Sequence, residues 1–248
     1  MQNNSNILSY ITLDFKLIYR NKRIYTIIFL GLFFTIFLLV GNKDINLVSA
    51  NKYLAPVPML LFAYLISFIS TSFAQFNLTW ESSYSNLFFS QTHKRNAFLR
   101  SRYYVCIFLN LCMVLVMILI LWYLQNLNLT MVYLLIASFL YSTGVNLFIT
   151  LFFTKYNRNY ADLNISNANN IELVNIYQFL SYILVYIKMY LLSFIFFGIS
   201  QSINLYCLVF SLLGILGLLS HRIVLKAVFN EIKKEKYTLL TSYNDEYE

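Results

Sequence analysis

Acidic side chains are scarce in this chain. It has 248 residues with 10 Asp and Glu against 18 Lys and Arg, and none of the acids falls within a stretch apolar enough to cross a membrane. Cation-coupled carriers and proton relays ordinarily keep a carboxylate inside the bilayer, so that class loses ground. Histidine is rarer still: His93 and His221 form neither an H-E-x-x-H motif nor a paired metal site. No G-x-x-x-x-G-K-[ST] occurs, which excludes ATP binding through a P-loop in this chain. Cys106, Cys112 and Cys207 all lie in apolar stretches and read as small apolar residues, not as a disulfide framework or metal site. Membrane proteases and lipid-modifying enzymes need converging His, Asp, Glu or Ser groups, and the apolar stretches offer no such cluster. The N-terminal MQNNSNILSYITLDF is polar, with no early basic cluster and no small-residue cleavage site, so no cleavable signal peptide is expected.

What the chain has in abundance is apolar surface. Hydrophobic residues make up 59% and charged residues 11%, with a mean hydropathy of +0.64, where soluble domains are about a quarter charged. A membrane span needs about 20 mainly apolar residues. Six stretches qualify: 24–40, 54–74, 104–124, 131–153, 176–197 and 203–220. The expected fold is therefore all-α, a polytopic membrane protein of six transmembrane helices. Its 21 Tyr and 23 Phe suit lipid-facing and interfacial positions.

The net charge of +8 is distributed by topology and does not point to nucleic acid. Basic residues precede the first span (Lys16, Arg20, Lys22, Arg23), lie between the second and third, recur at Lys155 and Arg158, and follow the sixth (Arg222, Lys226, Lys233, Lys234, Lys236). The opposite loops hold Lys43 and Lys52 alone. The positive-inside rule then places both termini in the cytoplasm. The expected organisation is a cytoplasmic N-terminal segment (1–23), a transmembrane domain (24–220) and a cytoplasmic tail (221–248). Two cytoplasmic loops, 75–103 and 154–175, interrupt the domain. Pro56 and Pro58 mark the start of the second span, where proline is tolerated. The loops at 125–130 and 198–202 are tight and uncharged, so little protein projects on the far side.

Before the first span, Leu8, Ile11, Phe15 and Ile18 step by three and four residues and share a face with Tyr19, while Ser9, Lys16 and Arg20 lie together away from it. That pattern predicts an amphipathic helix in the cytoplasmic interface, its basic side toward anionic head groups. After the sixth span, HRIVLKAVFNEIKKEKYTLL continues the last helix into the cytoplasm, with Glu231 and Glu235 at pairing distance from lysines.

Two features carry function. Residues 79–102, TWESSYSNLFFSQTHKRNAFLRSR, form a basic cytoplasmic segment with an apolar centre: Trp80, Leu87, Phe88 and Phe89 need a surface to pack on, and His93, Lys94, Arg95, Arg100 and Arg102 hold the segment on the cytoplasmic side. It reads as a docking element. The other feature is Lys188, mid-span in YILVYIKMYLLSFIFF, where a central lysine costs about 2.5–3.5 kcal/mol on insertion scales. Either Lys188 faces a polar pathway or subunit interface and meets an anionic group, or it snorkels and hydrogen-bonds to backbone and to Tyr182, Tyr186 or Tyr190.

The order of elements resembles the ABC-2-type permease subunits of ABC exporters. In that family an interfacial elbow helix precedes six spans, both termini are inside, and a coupling helix lies between the second and third spans. LSYITLDFKLIYRNKR is similar to the elbow, and WESSYSNLFFSQTHKRNAFLRSRYY to the coupling region. By that resemblance Glu81 takes the acidic position, Leu87, Phe88 and Phe89 the apolar turn with Trp80 beside it, His93, Lys94 and Arg95 the basic turn, and Arg102 the cationic helix entrance. The resemblance implies a bacterial cytoplasmic-membrane protein without cofactor or catalysis of its own. A partner ABC ATPase subunit would bind ATP and Mg, and a second permease subunit, identical or different, would complete the path through the lipid bilayer. Two other readings share the topology: a membrane-embedded immunity or assembly protein without an ATPase, and a lipid-acting membrane enzyme.

Overall fold

The computed structural model describes residues 2–20, 22–41, 57–75, 92–156, 176–200, 203–235 and 238, and among them there is helix and no strand. The helices are α1 (Gln2–Arg20), α2 (Lys22–Gly41), α3 (Val57–Gln75), α4 (Thr92–Tyr123), α5 (Leu129–Tyr141), α6 (Leu147–Phe153), α7 (Ile176–Ser200) and α8 (Ile203–Lys234). A π turn, Ser142–Asn146, joins α5 to α6, and a 3-10 turn, Thr154–Tyr156, follows α6.

Two apolar clusters fix how the helices run. One gathers Ile24, Phe73, Phe98, Leu151 and Ile232; the other gathers Leu39, Met59, Leu121, Met131 and Tyr206. Each of α2, α3, α4 and α8 therefore reaches from one cluster to the other, as does the α5–α6 pair; α2 and α4 run from the first to the second, and α3, the α5–α6 pair and α8 from the second to the first. The start of α2 and the end of α8 consequently lie at the same end of the bundle. Outward-facing positions stay apolar. Phe29, Phe33 and Phe37 form a stacked ladder on α2, with ring centroids 6.5 and 6.1 Å apart, and all three are exposed. A surface of that kind is at home in hydrocarbon, not in water.

Among the described residues, four helices are long and apolar enough to cross a membrane: Ile24–Gly41, Ala97–Tyr123, Leu129–Tyr156 and Ile203–Lys234. They coincide with the first, third, fourth and sixth expected spans. α3 and α7 occupy the second and fifth, with described apolar stretches, Met59–Gln75 and Phe179–Leu192, that are shorter. The third helix starts earlier than the sequence suggested: α4 is unbroken from Thr92, so the last part of the expected coupling loop is continuous with the span. Ala97, Phe98 and Leu99 are buried there, which is why the helix persists through a basic stretch. At its far end α4 closes with Gln125 at φ 56°. The Asn126 N–H then reaches the Leu121 carbonyl at 3.0 Å and the Gln125 N–H the Trp122 carbonyl at 3.0 Å. That double closure turns the chain back into α5.

One helix contact runs backbone to backbone. Gly144, inside the π turn, sits against Gly214 and Gly217 of α8; a Cβ built on Gly217 would overlap the Gly144 carbonyl, and one on Gly144 the Gly214 carbonyl. Small residues let helices approach this closely in a membrane. Replacing Gly217 with Leu is expected to force α8 off the π turn and cost about 3 kcal/mol or more, above the usual range for overpacking, because the obstacle is backbone that no rotamer change moves aside. A thermal-unfolding scan of the detergent-purified protein checks this; an unchanged midpoint would refute the contact.

Candidate functional site

Helix α1 has three faces, set by spacing at about 100° per residue. Ile7, Tyr10, Ile11, Leu17 and Ile18 turn inward, and Tyr10, Ile11, Leu17 and Ile18 pack on the cluster containing Phe98 and Leu225. Leu8, Phe15 and Tyr19 form an exposed apolar strip beside that face. Ser9 and Lys16, the polar residues, occupy a third arc, also exposed. Asp14 falls in the centre of the inward face, one turn from Tyr10 and Ile11 on one side and from Leu17 and Ile18 on the other.

A carboxylate in that position must find a cation. Arg102 supplies it: Nε stands 2.9 Å from Asp14 Oδ1, with the two side chains 1% and 3% exposed. The Ser101 hydroxyl donates to Asp14 Oδ2 at 3.3 Å. The guanidinium also lies over the rings of Phe73 and Phe98, 5.1 and 5.0 Å from their centroids, so two aromatic faces share the charge. Tyr10 meets Phe98 edge-on at 6.0 Å and Phe15 meets Phe108 at 5.4 Å. Contacts that advance together along both helices show α1 and the first turns of α4 running in the same direction.

The junction continues inward through the next residue. The Tyr103 hydroxyl donates to the Thr143 carbonyl at 3.3 Å. Its ring stacks on Phe148 at 5.1 Å and on His221 at 6.0 Å. His221 Nδ1 lies 2.7 Å from the Leu218 carbonyl, which can only accept, so that nitrogen carries the proton. Arg102 and Tyr103 thus join α1, the π turn, α6 and α8. Farther along the same end, Lys155 Nζ is 3.0 Å from Glu231 Oε2 and ties the end of α6 to the extension of α8.

Of the residues singled out from the sequence, Trp80, Glu81, Leu87, Phe88 and Phe89 lie outside the described residues, as do the side chains of His93, Lys94 and Arg95 in the first turn of α4. Arg102 lies about three turns into α4, which begins at Thr92, and its side chain points into the protein and meets Asp14. Lys188 is half-buried on α7, with Nζ 5.5 Å from the centroid of the Tyr141 ring. Two of the three tyrosines expected to serve it are engaged elsewhere, Tyr182 with Ser72 at 2.8 Å and Tyr186 with Ser67 at 3.4 Å, and Tyr190 is exposed. Arg102 and Lys188 belong to different parts of the bundle. Asp14, Ser101 and Tyr141 were not foreseen. The signal for Asp14 was present, because its helical position lies among the inward apolar residues and not among Ser9, Lys16 and Arg20.

Apolar spanning helices and a buried charge-paired junction at one end define an all-α membrane protein. The chain belongs to a family of unknown function, DUF5687, whose profile it matches over residues 5–246. No curated protein and no solved structure matches it.

Replacing one partner of the buried pair leaves the other charge stranded, at a typical cost of about 3–5 kcal/mol, whereas apolar replacement of both is often close to neutral. Arg102→Met and Asp14→Leu alone are each expected to lower the thermal midpoint sharply, and the double variant to recover most of the loss. If the double variant lost as much as the two singles combined, the pair would not be the coupling element of this junction.

Proposed function

We propose that this chain is a permease subunit of an ATP-driven exporter of the ABC-2 type, with six spans and both termini in the cytoplasm of a bacterial cell. The shared end of α1, the start of α4 and the extension of α8 would face that cytoplasm, in keeping with the basic residues concentrated there. A separate ATPase would bind ATP and Mg and dock on residues 79–102, with Trp80, Leu87, Phe88 and Phe89 as buried anchors. Glu81, His93, Lys94 and Arg95 would give the polar rim of that contact. A second permease subunit would face this one across the path.

The observation that carries this reading is mechanical. Helix α4 is one unbroken rod from Thr92 to Tyr123, and Arg102, about three turns along it, is locked to Asp14. A displacement applied at the docking segment would therefore move a membrane span and α1 together. Tyr103 would pass the movement to α6 and α8. Discrete rigid-body shifts of this kind are how packed elements convert nucleotide binding into alternating access.

Purification of the tagged chain from its own membranes is expected to bring down a polypeptide with a G-x-x-x-x-G-K-[ST] motif. Phe88→Asp should abolish that association while leaving membrane insertion intact. Asp14→Asn should retain the complex but lower the stimulation of ATPase activity on co-reconstitution. An ATPase that co-purifies equally well with Phe88→Asp, or no such partner at all, would defeat the proposal.

A further inference from the structure

The interior holds a second polar locus, separate from the α1–α4 junction. Helices α3 and α7 are bonded rung by rung: Ser67 to Tyr186, Ser72 to Tyr182, and Gln75 Nε2 to Ser181 Oγ at 3.0 Å. These hydroxyls are satisfied. Three other buried polar side chains are not. The Asn110 and Asn146 amides and the Tyr141 hydroxyl are fully buried and have no hydrogen-bond partner among the described residues. Lys188, half-buried, makes no ion pair among the described residues, and its ammonium lies over the face of the Tyr141 ring.

Register brings the four to one level of the bundle. Ser138 and Ser142 donate to the Met59 and Ala63 carbonyls, so α5 and α3 advance in parallel and the next turn sets Asn146 beside Ser67. Cys106 Sγ points to the Ser70 carbonyl from the antiparallel α4, which sets Asn110, one turn on, at the level of Ile66 and Ser67. The π turn places Tyr141 and Asn146 one turn apart on one side. Lys188 lies two residues from Tyr186. All four fall within about two helical turns, ~11 Å, along the bundle axis.

Buried amides and phenols are rarely left unpaired in native proteins, and π turns recur where a helix serves a ligand. The chemistry of the set is specific. An ammonium, two amide N–H2 groups and a phenol O–H are its donors, the two amide oxygens, also unpartnered, are its acceptors, and no carboxylate among the described residues stands opposite. Lys188 also sits at the edge of the lipid-facing side of α7, where Leu184 and Leu191, one turn either way, are exposed. We propose that Lys188, Tyr141, Asn110 and Asn146 form a mid-bundle binding site for an anionic head group carried on an apolar chain. The head reaches inward past Tyr141 to the two amides, and the chain stays along Leu184 and Leu191. The site does not depend on a partner ATPase.

The test uses the full chain in phosphatidylcholine nanodiscs, titrated with radiolabelled palmitate against empty discs. Hexadecyl phosphate serves as a second anion and methyl palmitate as the uncharged control. Saturable binding of palmitate or hexadecyl phosphate, but not of methyl palmitate, is expected; whichever anion binds tighter identifies the head group as carboxylate or phosphate. Lys188→Met should weaken binding by about tenfold or more, the scale of a lost charge-assisted contact, and Lys188→Arg should keep most of it. Asn110→Leu and Asn146→Leu should each weaken binding severalfold while leaving thermal stability without ligand unchanged or raised, an outcome that separates a ligand-facing amide from a structural one. Equal binding of methyl palmitate, or undiminished binding by Lys188→Met of normal melting midpoint, overturns the proposal. Neither result touches the ATPase reading, and loss of that reading leaves this site standing.

Discussion

Lipid offers a helix no hydrogen bonds and no hydrophobic reason to leave it, and the arrangement of this bundle follows from that constraint. Polar groups inside hydrocarbon must be satisfied by the protein itself. The side chains that could be awkward mostly bond back onto their own helix: Thr35 to Gly31, Thr71 to Ser67, Thr150 to Asn146 and Ser211 to Cys207, at 2.7 to 3.1 Å. With lipid tails as apolar as leucine, association between helices rests on close packing and interhelical bonds. The Gly144 contact with Gly214 and Gly217 provides the first. The α3–α7 rungs provide the second.

The Asp14–Arg102 pair is the costliest application of the same rule. Burying two charges brings little net stability even when geometry is good. What the pair does provide is a fixed position, since Asp14 is disfavoured anywhere on α1 except opposite Arg102. The apolar residues around it could slide along the cluster at modest cost. A helix held by leucines alone would tolerate several registers; this one has a single register consistent with its charge. In the proposed permease that distinction would matter, because an element that slips cannot transmit a displacement.

Much of this architecture was legible in the sequence. Length and hydropathy located the spanning helices, and the run beyond Ser220 was readable as a continuation of α8, because both signals are summed over many residues and survive local exceptions. The orientation of α1 was half legible. Its apolar residues form two adjoining strips, and periodicity alone merged Ile11 and Ile18, which face the bundle, with Leu8, Phe15 and Tyr19, which do not. The start of α4 was placed late because charged residues lower hydropathy whether they are solvated or buried, and Arg102 is buried. Lys188 was visible as an anomaly, but its neighbour was not. Tyr182, Tyr186 and Tyr190 are close in sequence, while Tyr141 reaches it from another helix. No local pattern announced the π turn.

Arg102 and Lys188 differ in their surroundings. Arg102, fully buried, has a carboxylate, a hydroxyl beside that carboxylate and two aromatic faces, whereas Lys188, half-buried, has the Tyr141 ring. Lys188 sits midway along α7 and is directed toward Tyr141. Charges retained without a partner in the interior are disfavoured unless something outside the chain supplies one. The locked pair holds α1 and α4 in one register, whereas Lys188, with no ion pair among the described residues, is the cation that the proposed anionic head group would meet.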